Sequence, residues 1–220
     1  MLGYCWLCNQ SLTGRTGGGL CLVCLYDLPR LPPSCLKWRC QQPERAQGRY
    51  WYAAMSWQAD TRSLVHRFKF HSCPELAQVL APLMVAQVLH CYQDKPRPDA
   101  IMAMPMSYSR WVKRGYNQAG LLARAVAEQL QLPIISGGLR RLYDTGTQQH
   151  HSSASQRWDS MQRSLYCTGN MTGLTVAVVD DVLTTGASIS AAAAAIEQRG
   201  AKAVDAWTFA FAEPHPPLNE

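Results

Sequence analysis

Apolar and polar positions divide the chain into strand-like and helix-like stretches. Val176-Ala177-Val178-Val179 is a run of small and β-branched apolar residues and predicts a buried strand. Two acids, Asp180 and Asp181, stand where that strand is expected to end, and a short loop of hydroxyls and glycine follows. The alanine-rich stretch 189–199 then predicts a helix closed by Gly200, and Ala203 to Ala212 a last strand. Upstream, Ala100-Ile101-Met102-Ala103-Met104 predicts a core strand, ended by Pro105-Met106-Ser107-Tyr108, with a helix over 119–130 behind it. Leu76, Val79, Leu80, Leu83, Met84, Val88 and Leu89 form one stripe of a long helix over 74–92. A shorter helix is expected over 62–70, and Tyr50 to Trp57 is aromatic and strand-like, in keeping with a hairpin arm. Strands alternating with helices predict an α/β domain with a parallel sheet, whose ligand site lies at the carboxyl ends of the strands.

The residues at that edge suggest a ligand. Backbone N–H groups of Thr184, Thr185, Gly186, Ala187 and Ser188 would converge at a helix N-terminus, where donors lack partners and the dipole is positive. That is an anion site, most often for phosphate. Thr184, Thr185 and Ser188 add hydroxyls, and Gly186 lets the backbone approach closely. Asp180 and Asp181 can accept hydrogen bonds from the paired hydroxyls of a ribose, or help hold Mg²⁺ through water. After the strand at 100–104, the cations Arg110, Lys113 and Arg114 and the amides Asn117 and Gln118 form a loop suited to pyrophosphate.

Cysteine usage adds a second part. Six of the nine cysteines lie in the first forty residues. Cys5-Trp6-Leu7-Cys8 and Cys21-Leu22-Val23-Cys24 are two C-x-x-C pairs with twelve residues between them, the pattern of a four-thiolate zinc site, with Gly14, Gly17, Gly18 and Gly19 at a hairpin tip. Cys35 and Cys40 have no further pair and are expected to hold no second metal. The expected division is a zinc module over 1–45, stabilised by its metal, and an α/β domain over 46–220 with a proline-rich tail after 213.

Charge narrows the partners. The formal net charge is +6, and between Arg30 and Lys69 eight basic residues face two acids. This fits a polyanionic partner or a solvated basic face, and the rings from Tyr50 to Trp57 suit base stacking or core packing. No apolar run reaches membrane-spanning length, and the start Met1-Leu2-Gly3-Tyr4-Cys5 is no secretory signal, so a cytoplasmic protein is expected.

The stretch from Val176 to Ser188 resembles the phosphoribosyl-pyrophosphate (PRPP) motif of type I phosphoribosyltransferases. The resemblance implies a Rossmann-like fold, a 5′-phosphate held by residues 184–188, and ribose hydroxyls held by the catalytic pair Asp180 and Asp181. The run Met104-Pro105-Met106, Arg110, Arg114-Gly115-Tyr116-Asn117-Gln118 is similar to the V-P-L…R…R-G-F-N-Q signature of the ComF family of competence and DNA-utilisation proteins, and Lys69-Phe70 resembles its K-F pair. That family joins a cysteine-rich zinc module to a type I phosphoribosyltransferase domain. The resemblance covers nearly the whole chain. It implies structural zinc, PRPP with Mg²⁺ as ligand, and Pro105, Met106 and Ser107 as the backbone of the pyrophosphate loop. Arg110, Lys113 and Arg114 would face the pyrophosphate, with Lys69, Gly115, Asn117 and Gln118 around them. It implies single-stranded DNA and the helicase or recombination proteins of DNA uptake as partners. Three activities are compatible with it: phosphoribosyl transfer to an unidentified acceptor, PRPP or nucleotide sensing without turnover, and single-strand DNA binding. The chain departs from the family at Ala103, a frequent proline, and over Thr147-Gln148-Gln149-His150-His151, Arg157 and Ser160, which fit its T-x-x-Q, arginine and asparagine pattern loosely.

Overall fold

The computed structural model describes residues 3–12, 19–142 and 154–213. The stretch Thr147 to His151, the glycines 14, 17 and 18, and the tail from 214 lie outside the described residues.

The expected α/β architecture is present. Four strands, β1 (Trp51–Ser56), β2 (Ala100–Ala103), β5 (Thr175–Leu183) and β6 (Ala203–Phe211), form a parallel sheet in the order β1-β6-β5-β2. Register is fixed by pairs such as Ile101 with Ala177, Val178 with Ala206 and Tyr52 with Trp207. Between them run α2 (Ala59–Phe70), α3 (Leu76–Cys91), α5 (Gln118–Leu130) and α7 (Ala187–Glu197). The apolar run 176–179 is continuous because both faces of the sheet are covered. Ala177 and Val179 pack in the core beneath α2, α3 and α5, and Val176 and Val178 in the core beneath α7. Leu89, assigned to the buried stripe of α3, is 47% exposed; the stripe proper is Leu76, Val79, Leu80, Leu83, Met84 and Val88. Pro82 sits inside α3 without ending it.

Two elements differ from expectation. Residues 50–57 are not a hairpin arm: β1 is an outer strand parallel to β6, and its free edge is covered by the preceding chain. There Arg30 bridges Met55, Leu31 N–H donates to the Ala54 carbonyl (3.0 Å), Leu36 N–H to the Trp51 carbonyl (2.8 Å) and Ser56 N–H to the Pro29 carbonyl (2.7 Å). An uncovered edge would expose unpaired backbone groups to other chains. The second is a small antiparallel pair, β3 (Leu139–Arg141) with β4 (Leu165–Cys167), which no alternation in the sequence announced. Each strand has only three residues, too few for a periodic signal.

At the far end of β6 the carboxylate of Asp205 is fully buried. It accepts from Arg49 Nε and Nη2 (2.9 and 2.7 Å), the Tyr50 N–H (3.1 Å) and the Tyr92 hydroxyl (2.5 Å), so its charge is paired and its lone pairs are filled. Burial beside that carboxylate pushes the Tyr92 hydroxyl far up. This knot joins β1, β6 and α3 and leaves the opposite, carboxyl edge of the sheet free for chemistry.

Candidate sugar-phosphate site

Strand β5 does not end before the acids. It runs through Asp180 and Asp181, because Val182 and Leu183 still pair with Ala210 and Phe211. Strand alternation sends the two carboxylates to opposite sides of the ridge. Asp181 meets Lys69 from the end of α2, with Nζ to Oδ1 at 2.8 Å. Its N–H donates to Asp180 Oδ1 at 2.8 Å. Burial, and then the neighbouring Asp181 charge, push the Asp180 carboxyl up to about 7; Lys69, the Asp181 N–H and Arg141 offset only part of this.

The turn after the ridge is rich in unclaimed donors. Gly186 adopts φ +88°, a left-handed conformation natural to glycine, and begins α7 as its N-cap. Ala187 N–H makes a long bond to Thr185 Oγ1 (3.4 Å). The amides of Thr184, Thr185, Gly186, Ser188 and Ile189 have no acceptor among the described residues. They are the orphan donors of a helix start, gathered beside two carboxylates.

The cationic segment after β2 is a short helix, α4 (Tyr108–Arg114), rather than a loop, and Gly115 at φ +77° terminates it. Asn117 Nδ2 donates to the Met104 carbonyl (3.0 Å), and Gln118 Nε2 to the Phe68 carbonyl (3.3 Å). These amides therefore tie the walls together instead of pointing outward as ligand donors. Arg114 Nη1 donates to Gln118 Oε1 (3.2 Å), and burial pulls the Arg114 guanidinium down from its ordinary range.

A cavity of about 310 Å³ joins these parts. It is lined by Lys69, Pro105, Met106, Arg110, Arg114, Asn117, Gln118, Asp180, Asp181, Thr184 and Ser188, all singled out from the sequence. Ser107, Lys113, Gly115, Thr185, Gly186 and Ala187 are not in its lining; Lys113 is exposed, and Ser107 is buried with its Oγ 3.4 Å from that of Ser109. Met104, Ala119 and Val182 add apolar lining, and two further lining residues, Trp57 and Arg141, were not assigned to the site from the sequence. Trp57 directly follows β1 and so stands at the carboxyl edge of a parallel strand, a positional signal that was available. Arg141 arrives on the unforeseen β3, its Nε 3.4 Å from the Pro105 carbonyl.

A second, wider cavity of about 710 Å³ opens along α2 and shares Trp57, Lys69, Arg110 and Arg114 with the first. Arg62, His66, Arg67, Phe70 and His71 complete its charged and aromatic wall, and no acid among the described residues lines it. Of the rings from Tyr50 to Trp57, Trp51 and Tyr52 are buried and Tyr50 and Trp57 half-buried; outside that stretch, Phe70 is 59% exposed under the Arg114 guanidinium at 5.0 Å.

The four sulfurs of Cys5, Cys8, Cys21 and Cys24 lie within 4.8 Å of one another, with Cys8 and Cys21 at 3.7 Å. Tetrahedral zinc with Zn–S of about 2.3 Å implies sulfur separations of about 3.8 Å, so this donor set fits that ion. Burial opposes the Cys5 thiolate, but N–H groups of Cys21, Cys8 and Leu7 outweigh it and bring the thiol to about 6. Cys35 and Cys40 are not part of the cluster; Cys35 Sγ accepts from the Trp51 N–H at 3.4 Å. No helix of the described residues is long and apolar enough to cross a membrane.

A family model for the phosphoribosyl transferase domain matches residues 114–218, which include the acid ridge and its turn. The chain is similar to the DNA utilization protein YhgH of Salmonella typhi, 31% identical over 219 residues that cover 93% of this chain and 95% of the relative. It is also similar to Competence protein F of Haemophilus influenzae, 31% identical over 154 residues covering 68% of this chain and 67% of the other. Among solved structures it resembles a glutamine phosphoribosylpyrophosphate amidotransferase from B. subtilis, at 18% identity and a TM-score of 0.42, covering 64% of this chain and 30% of that one.

The raised Asp180 pKa has a measurable consequence. Between the ordinary carboxylate value of about 4 and about 7 the folded state binds a proton that the unfolded state has released, so Asp180 makes stability fall as pH rises through this window. In Asp180→Asn this contribution disappears. The variant should melt above the wild type at pH 8 and converge with it near pH 4; melting curves that stay parallel across the range would contradict the assignment.

Proposed function

Because the chain belongs to the ComF family, whose relatives carry competence and DNA-utilisation names, we propose that it is a PRPP-binding protein of DNA uptake or use, with a phosphoribosyltransferase-type site. One observation carries this reading: a single cavity is lined by Thr184 and Ser188 from the turn that starts α7, the carboxylate pair and two guanidinium groups, Arg110 and Arg114. PRPP presents the matching sequence of groups, a 5′-phosphate, a ribose diol and a pyrophosphate. The amides of 184–188 take the 5′-phosphate, with the hydroxyls of Thr184 and Ser188. Asp180 and Asp181 accept from the diol, which requires Asp180 ionised and Lys69 drawn from Asp181 toward pyrophosphate. Arg110 and Arg114 neutralise the pyrophosphate, and the turn 105–107 runs beneath it. Mg²⁺ arriving with PRPP supplies further neutralisation of the leaving group. In transfer, a nucleophile bonds to C1 while the C1–O bond breaks and its electron pair leaves with pyrophosphate. The chain's part is orientation and charge stabilisation.

A second reading is favoured by the basic wall along α2. A trough of guanidinium groups with the exposed ring of Phe70 and the half-buried ring of Trp57, and without acids among the described residues, suits a single-stranded nucleic acid whose phosphates and bases meet both kinds of group. The two readings are compatible, because the trough opens into the sugar-phosphate cavity.

The cysteine cluster is assigned a structural zinc. Its contribution is to fold a segment too small to bury a core of its own.

Calorimetry with PRPP and Mg²⁺ tests the first reading: the wild type should bind, and Asp180→Asn with Asp181→Asn should lose binding while keeping its far-ultraviolet spectrum. Equal affinity in both proteins would refute it. For the trough, Arg62→Glu with Arg67→Glu should weaken binding of an oligothymidine by at least about tenfold near 0.1 M salt and flatten the salt dependence; full affinity in that variant would remove the physical basis of the second reading. Cys5→Ser should lower zinc content by atomic absorption and loosen the first segment to protease, and a full complement of metal in that variant would mean other ligands.

A further inference from the structure

The amides that would hold the 5′-phosphate are themselves held from outside the motif. Gln41 N–H, in the segment between the cysteine cluster and β1, donates to the Thr185 carbonyl at 3.3 Å. That carbonyl and the Gly186 N–H belong to one trans peptide, so they point in opposite directions. Anchoring the carbonyl toward Gln41 therefore turns the Gly186 N–H away from the segment, and that N–H has no acceptor among the described residues.

The same segment sets the position of the turn. A Cβ at Gly186 would lie 2.5 Å from the ring of Trp51 and 3.1 Å from Cys40 Cβ, so both side chains lie directly against its backbone. Trp51 is fully buried, and its Nε1–H donates to the Gln47 carbonyl at 3.2 Å. One turn into α7, Ser190 Oγ accepts from the Gln47 N–H (3.0 Å) and donates to the Arg45 carbonyl (3.3 Å). The turn and the start of its helix are thus fastened at Thr185, Gly186 and Ser190 by residues 40–51.

We propose that the Gln41 N–H and the Trp51 ring are positioning groups for the phosphate turn, the first aiming the Gly186 amide and the second fixing its height. The inference rests on the sugar-phosphate reading above. It places a determinant of phosphate affinity in the cysteine-rich end of the chain, outside the matched domain model. It also explains why alanine at 186 would fail twice, by backbone conformation and by collision with an immobile ring.

Gln41→Pro deletes the donor, and Cys40 already has the extended conformation (φ −76°, ψ 170°) that a following proline requires. Gln41→Ala keeps the donor and serves as its control. Ribose 5-phosphate reports on the turn, and pyrophosphate with Mg²⁺ on the guanidinium end of the same cavity. By calorimetry, Gln41→Pro should raise the Kd for ribose 5-phosphate about tenfold, the size of one anion-directed hydrogen bond, with pyrophosphate affinity unchanged and Gln41→Ala like the wild type. Trp51→Leu, which keeps an apolar filler but removes the flat ring, should show the same selective loss, and Trp51→Phe should restore affinity. Wild-type affinity for ribose 5-phosphate in both Gln41→Pro and Trp51→Leu, or a parallel loss of both ligands, would overturn the proposal. A wild type that fails to bind ribose 5-phosphate would instead bring down the sugar-phosphate reading on which it stands.

Discussion

Backbone donors without partners constrain everything at the carboxyl edge of this sheet. The first amides of a helix have no intrahelical acceptor, and side chains, water or a ligand take them instead. Here five amides around Gly186 have no acceptor among the described residues, just past a strand that carries two adjacent carboxylates near its end. Their pattern is complementary to the ligand proposed above, anionic at one end and hydroxylated next to it. The acids' mutual repulsion is met locally: Lys69 pairs with Asp181, and burial beside Asp181 pushes the Asp180 carboxyl up to about 7. The Lys69–Asp181 pair is the contact that the proposed sugar phosphate would exchange.

The central site was legible because its chemistry is consecutive in the chain. Strand, acids, turn and helix follow one another within 176–199, and each local preference agrees with the global fold. The cationic side was legible in residue type but not in shape. Tyr108 to Arg114 forms a helical turn, since Gly115 can accept the left-handed conformation that closes it, and this turn leaves Lys113 outside the cavity. Asn117 and Gln118 illustrate a general limit. An amide beside a ligand site is as useful for tying two loops together as for touching the ligand, and composition does not separate these roles. Arg141 was out of reach, because its three-residue strand has no period to read.

The cysteine-rich end is bound into the domain more closely than a tethered module needs to be. Residues 29–36 cover the open side of β1, and Leu20, Leu28 and Cys5 join the larger core. Leu36, Cys40 and Ala46 join the other core, beside the phosphate turn. A cluster of four thiols fixes one end of this segment, the sheet edge fixes its middle, and the turn lies against its far end. The cysteine cluster and the phosphate turn are thereby mechanically linked through residues 20–51.

The most direct measurement is a crystal structure grown with ribose 5-phosphate. The account predicts phosphate oxygens within hydrogen-bond distance, about 2.7–3.2 Å, of the Gly186 and Ser188 amides, and the ribose hydroxyls on Asp180 and Asp181. A sugar phosphate bound elsewhere, or a Gly186 N–H already donating to the protein's own carbonyl, would contradict it.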